Sequence, residues 1–138
     1  MSNSIKKDAL KVILDSNALF VPLEFKLDIF ILVEQLLNRK VDLVVISAVK
    51  RELEMLSSKD SHKMRREAAF ALKLAEKCKY VSVNYSNLST DDAIVKIAEA
   101  WSSPVFTNDK ELRKRLRDIS VPVIYVRQKS RLELDGLI

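Results

Sequence analysis

Five short apolar runs, each closing on or followed by a polar residue, limit what this chain can fold into. Residues 11–15, 41–46, 80–84, 105–107 and 122–126 have the length and β-branched content of strands. Between them apolar side chains recur at helical spacing. Leu27, Phe30, Ile31, Val33, Leu36 and Leu37 mark a helix over 24–39, and Met64, Ala68, Ala71, Leu72 and Ala75 one over 62–79. Three more helices are predicted: 48–56 capped by Ser47, one from Ser89 through Trp101, and 109–118. The last is capped by Asn108, with Glu111 as its capping-box partner. Strands alternating with helices predict a parallel sheet between helical layers. The near-continuous apolar run at 41–46 suits a sheet covered on both faces. The expected architecture is a three-layer α/β/α sandwich with a central parallel five-stranded sheet.

Length and composition narrow the reading further. A chain of 138 residues with 48% hydrophobic content supports one core and is too short for two full domains. The expectation is a single domain over 1–138, with a loose start at 1–9 and a tail at 127–138 that adds at most an edge strand. Cys78 is the only cysteine, which rules out a disulfide framework or thiolate zinc site and suits the cytoplasm. Residues 1–9 have no signal-peptide core, and no run is long enough to span a bilayer, so no membrane partner is expected. Gly136 is the only glycine, so neither a Gly-rich dinucleotide loop nor a P-loop can be built.

The residues just past the strand ends carry the chemistry. Asp15 follows the first strand, Glu52 lies one helical turn beyond the second, Asp91 and Asp92 open the helix after the third, and Asp109 follows the fourth. A parallel sheet delivers all of these to one edge, where ligands of open α/β sheets bind. Clustered carboxylates repel, and a divalent cation relieves the repulsion. Oxygen-only donors favour Mg²⁺ or Mn²⁺ over zinc. Taken singly, most have an ordinary explanation. Asp91, Asp92 and Asp109 sit where acids oppose a helix dipole, and Glu52 lies beside Lys50 and Arg51 as a surface residue would. Asp15 has none, because a strand end does not call for a carboxylate.

Several competing chemistries are closed off. His62 is the only histidine, which excludes a two-histidine ribonuclease and leaves Ser16 without a triad partner. A phosphorelay receiver needs an aspartate after the third strand, where Asn84 and Tyr85 stand.

In Leu14-Asp15-Ser16-Asn17, Glu52-Leu53, Thr90-Asp91-Asp92-Ala93-Ile94 and Thr107-Asn108-Asp109 the chain resembles the PIN-domain nucleases over roughly residues 11–126. Within that superfamily it is most similar to archaeal single-domain PIN proteins related to the small-subunit rRNA-processing nuclease. VapC-type toxins share the acids in a looser frame. The resemblance implies a Mg²⁺- or Mn²⁺-dependent endoribonuclease with one or two ions held by Asp15, Glu52, Asp92 and Asp109. It prefers Asp92 to Asp91 as the ligand, because Asp92 directly precedes the alanine of the following helix, and leaves Asp91 as an accessory ligand. It gives Asn17 and Thr107 orienting roles and implies a homodimer. The zinc-binding cysteines and histidines appended to some processing nucleases are absent. Three roles follow: an rRNA-processing enzyme, a toxin held by an antitoxin, and a weakly catalytic RNA-binding module with a ribosome-assembly partner.

A net charge of +5 suits an anionic partner such as RNA, although a mild lysine excess is common in soluble domains. Lys110, Arg113, Lys114 and Arg117 form a stripe on the 109–118 helix that reads either as phosphate contacts or as a solvated face. Lys59, Lys63, Arg65 and Arg66 lie in and after a polar break at 57–61, placed to grip a strand entering the acidic edge, although a surface charge run is the default explanation for such a group. Aromatic residues make up 7% of the chain, too few for extended base stacking.

Overall fold

The structure, a computed structural model, describes residues 9–138. Apart from Ala9, the loose start expected at 1–9 falls outside them. Strands β1 (Leu10–Leu14), β2 (Val41–Ile46), β3 (Lys79–Val81), β4 (Val105–Phe106) and β5 (Val123–Arg127) pair in parallel, and β6 (Arg131–Asp135) pairs antiparallel with β5. The spatial order is β3-β2-β1-β4-β5-β6. The sheet thus has six strands where five were expected. The tail closes as a hairpin because Gln128 and Lys129 both take positive φ, 54° and 59°. Positive φ at both central residues gives a turn whose twist matches the flanking strands.

A 3₁₀ segment (Ser16–Phe20), α1 (Val21–Phe25) and α2 (Ile29–Leu37) link β1 to β2. Then α3 (Ser47–Ser57) and α4 (His62–Ala75) link β2 to β3, α5 (Thr90–Trp101) leads to β4, and α6 (Lys110–Asp118) leads to β5. The connections run in both directions along the sheet, and because such parallel crossovers follow a right-handed rule, they put helices on both of its faces. Val12, Ile13 and Leu14 are consecutive and all fully buried, as cover on both sides requires. They join Ile46, Leu53, Ile94, Phe106, Leu112 and Leu116 in one contiguous core. Among the described residues no helix is long and apolar enough to cross a membrane.

Local chemistry moved several expected boundaries. The helix expected over 24–39 is broken. Pro22 starts α1 early, Lys26 turns left-handed at φ 58°, and the Asp28 carboxylate accepts the N–H groups of Phe30 and Ile31 to restart the chain as α2. The helix expected over 62–79 stops at Ala75, because Lys79 is already paired with Val44 in the sheet. Ser47 is the first residue of α3, not its cap, and its hydroxyl bonds both the N–H and the carbonyl of Val83. Asp109, not Asn108, caps α6.

The connections also decide where a site can lie. The chain leaves β1 towards β2 and β3, then crosses back to β4 and continues outward to β5. The direction therefore reverses between neighbours β1 and β4. A crevice opens at such a switch point, outside the carboxyl ends of the strands. Asp15 and Thr107 are the residues that immediately follow these two strands.

Candidate active site

Asp15 is 4% exposed and caps the 3₁₀ segment. Its Oδ1 accepts the Ser16 N–H at 2.8 Å, and its Oδ2 accepts the Asn17 amide at 2.9 Å and the Thr107 hydroxyl at 2.7 Å. Every partner is a donor, so the cage is built for an acceptor. The cage is itself braced. Thr107 Oγ1 accepts the Asp109 N–H at 3.1 Å, and Asn17 Oδ1 accepts the Asn108 N–H at 2.9 Å. These bonds join the β1 end to the β4 end across the switch point. Burial nevertheless pushes the Asp15 pKa up to about 6. The bonds from Thr107 and Ser16 counter that rise, and the nearby Asp91 and Glu52 carboxylates reinforce it.

The other acids meet Asp15 from three elements. Glu52, in the second turn of α3, accepts the Ser16 hydroxyl at 2.5 Å. Asp91, in the first turn of α5, has its pKa raised first by burial, then by Asp109 and Glu52, with Arg115 opposing and Asp92 adding to the rise. Asp109 gives one oxygen to its own helix, where Oδ1 accepts the N–H groups of Glu111 and Leu112. Asp15 thus lies in the field of Asp91 and Glu52, and Asp91 in that of Asp109 and Glu52; among the described residues none of the four makes an ion pair. Asp92 behaves differently: its Oδ1 holds the Arg115 guanidinium at 2.8 Å. Of the two neighbours, Asp92 pairs with Arg115, while Asp91 lies in the field of Asp109, Glu52 and the same Arg115. Arg115 drew no notice in the sequence, where it is one of several cations in α6 and nothing links it to a residue 23 positions away.

The basic residues divide in the same way. Arg113 pairs with Asp135 at 2.9 Å and lies 3.7 Å over the Tyr125 ring, Arg117 pairs with the same carboxylate at 3.2 Å, and Lys114 reaches Asp118. Arg65 donates to the Lys59 carbonyl and packs on His62. Lys59, Lys63, Arg66 and Lys110 are exposed and make no ion pair among the described residues.

Among the described residues no three acid, histidine or cysteine side chains close on a common point as a metal cage would. Mg²⁺ does not call for one. It binds through one or two carboxylates, keeps several waters and shares substrate phosphates. A set of mutually repelling carboxylate oxygens without a paired cation suits such an ion in donor chemistry.

Comparison with known proteins agrees with the geometry. A family model described as a PIN like domain matches residues 12–129. Ribonuclease VapC4 of Methanocaldococcus jannaschii is 35% identical over 129 residues, covering 93% of this chain and 98% of that protein. Ribonuclease VapC9 of Archaeoglobus fulgidus is 32% identical over 94 residues, 68% of this chain and 67% of that protein. The solved structure of the PIN domain endonuclease Utp24 has a TM-score of 0.77 and 26% sequence identity, over 93% of this chain and 92% of that one. With a switch-point site built from Asp15, Thr107 and the acids around them, and a family match across most of its length, this chain belongs to the PIN-like domain family.

Proposed function

We propose that this chain is a Mg²⁺- or Mn²⁺-dependent endoribonuclease acting through Asp15, Glu52, Asp91 and Asp109. The observation that carries the reading is the gathering of these acids at the β1/β4 switch point, where Asp15 lies in the field of Asp91 and Glu52, Asp91 in that of Asp109 and Glu52, and none of the four makes an ion pair among the described residues. The near full-length likeness to a protein named ribonuclease VapC4 supports RNA as the substrate.

A divalent cation held there supplies Lewis acidity, making water a better nucleophile near neutral pH and offsetting charge on the phosphodiester. The chain's own residues prepare the site for it. Thr107, Asn17 and the Ser16 N–H fix the Asp15 carboxylate in one orientation, so no side-chain ordering is left to pay at binding. Ser16 holds Glu52 close to Asp15. Burial keeps water from screening Asp15, which strengthens its attraction for a cation. Arg115 draws Asp92 aside and leaves Asp91 to face the site. Exposed Lys63 and Lys110 contribute attraction for the RNA backbone.

The relatives named ribonuclease VapC favour a toxin silenced by an antitoxin over rRNA processing. Co-expression with a small neighbouring reading frame that suppresses cleavage supports the toxin. Cleavage restricted to a precursor rRNA supports processing. We read the protein as cytoplasmic and homodimeric, with exposed Ile31, Met55, Phe70 and Tyr80 as apolar surface for self-association. Sedimentation tests the dimer. The central test is cleavage of single-stranded RNA with Mn²⁺, which EDTA and Asp15→Asn each abolish. Undiminished cleavage in EDTA, or by the variant, overturns the reading. RNA binding without any metal-dependent cleavage reassigns the chain as a binding module.

A further inference from the structure

Two cavities flank the Asp15 cage and share a ridge made by Phe25 and Asn108. The first, about 470 Å³, lies between α1 and α4. Phe20, Leu23, Phe25, Leu56 and Met64 give it a mostly apolar lining, with Lys63, Glu24 and Glu67 at its rim. The second, about 430 Å³, lies between α6 and the β5–β6 turn and presents Lys110, Arg113 and Lys129 beside Tyr125. Both volumes fall in the range of about 300–1,000 Å³ typical of ligand sites. Each cavity also touches the cage directly. Asn17 lines the first and Thr107 the second, and both hydrogen-bond the same Asp15 oxygen.

We propose that these cavities form a two-compartment nucleotide groove. An unstacked RNA base enters the apolar compartment, and a neighbouring backbone phosphate sits against Lys110 and Lys129. The inference rests on the ribonuclease reading and deepens it by saying how the strand is held. A ligand filling both compartments needs a flat apolar group and, a short step along the same chain, an anion. A single-stranded nucleotide offers both. Base–aromatic stacking is tolerant of sequence and suits Phe20 and Phe25. Lys110 and Lys129 make no ion pair among the described residues and keep their charge for an incoming anion. Arg113 is already neutralised by Asp135 and stacked on Tyr125, so it acts as a wall and not as a phosphate ligand. The two positive-φ residues of the β5–β6 turn place Lys129 opposite α6, which explains why a cation so far along the chain joins Lys110.

The test uses a fluorescein-labelled RNA hexamer in EDTA, where metal-dependent cleavage does not run, read by anisotropy with and without one abasic position. Phe25→Leu and Leu23→Asp are each expected to weaken binding about tenfold and to lose sensitivity to the abasic position. Leu23 is partly exposed, which protects the test if Phe25→Leu impairs folding. Lys129→Glu is expected to weaken binding several-fold and to flatten the salt dependence by about one phosphate contact. Wild-type affinity in all three variants overturns the groove. If the same substitutions shift a dimer midpoint in sedimentation and leave RNA binding untouched, the cavity belongs to a second copy of the chain and the proposal is overturned. Undiminished cleavage by Asp15→Asn refutes the ribonuclease reading separately, because the hexamer assay does not depend on cleavage.

Discussion

Asp15→Asn removes the carboxyl group whose charge the fold most disfavours. Asp15 titrates at about 6 when folded, against an ordinary value of 3.8. A raised folded pKa means that the native state holds its proton more tightly than the unfolded chain does. The penalty is absent well below pH 3.8, grows as pH rises between the two values, and is complete above pH 6. At about 1.36 kcal/mol per pH unit, the gap corresponds to roughly 3 kcal/mol at neutral pH. Asparagine carries no such term, but it turns an NH₂ group towards a cage of donors and loses about 1–3 kcal/mol at every pH. That loss is constant, so the pH profile isolates the titration. Urea unfolding in EDTA from pH 4 to pH 8 should show wild-type stability, relative to the variant, falling by roughly 2–3 kcal/mol with rising pH. Parallel profiles, or a difference growing in the opposite direction, refute the assignment of a buried, destabilised charge to Asp15.

Cleavage should fall about a hundredfold or more in Asp91→Asn and far less in Asp92→Asn. The reverse order of the two rates would restore Asp92 as the ligand. Thr107→Val removes a donor to Asp15 and leaves the Asp109 N–H without that acceptor. It should cost about 1–3 kcal/mol in urea unfolding, with Thr107→Ser recovering most of it; equal losses in both variants would point to packing instead. Ser102 ends α5 at φ 53°, so Ser102→Gly should gain up to about 1 kcal/mol in thermal unfolding, and a loss would show that its side chain matters more than its backbone. In the metal-free protein, Mn²⁺ at a hundred times its dissociation constant should add about 2.7 kcal/mol of stability. Asp109→Asn should reduce that gain, and an unchanged gain would place the ion elsewhere.

Much of the fold was legible because strands and helices write different periods into a sequence. The run at Val41–Ile46 matched its strand residue for residue, since a strand buried on both faces needs apolar side chains on both, as Leu43 to Ile46 supply. Boundaries were less legible where side chains bond locally. Asp28 restarts a helix in the middle of an apolar stripe, and Ser47 spends its hydroxyl on Val83, 36 residues away. The sixth strand was legible only as a possible edge, because its turn uses Gln128 and Lys129 in a conformation usually signalled by glycine or asparagine.

For the site, the sequence by itself determined which acids stand past which strand ends, because order along the chain becomes position along one sheet edge once the strands are parallel. The lack of glycine-rich loops and paired histidines was equally a property of the sequence. Tertiary structure alone decided which oxygens face which. Neighbouring helical residues point about 100° apart, so Asp91 and Asp92 meet different surroundings, and Arg115 from α6 pairs with Asp92. The donor cage around Asp15 likewise needs Asn17 and Thr107, 90 residues apart, to meet across β1 and β4. No local pattern records that contact, because it forms only when the switch point brings the two strand ends together.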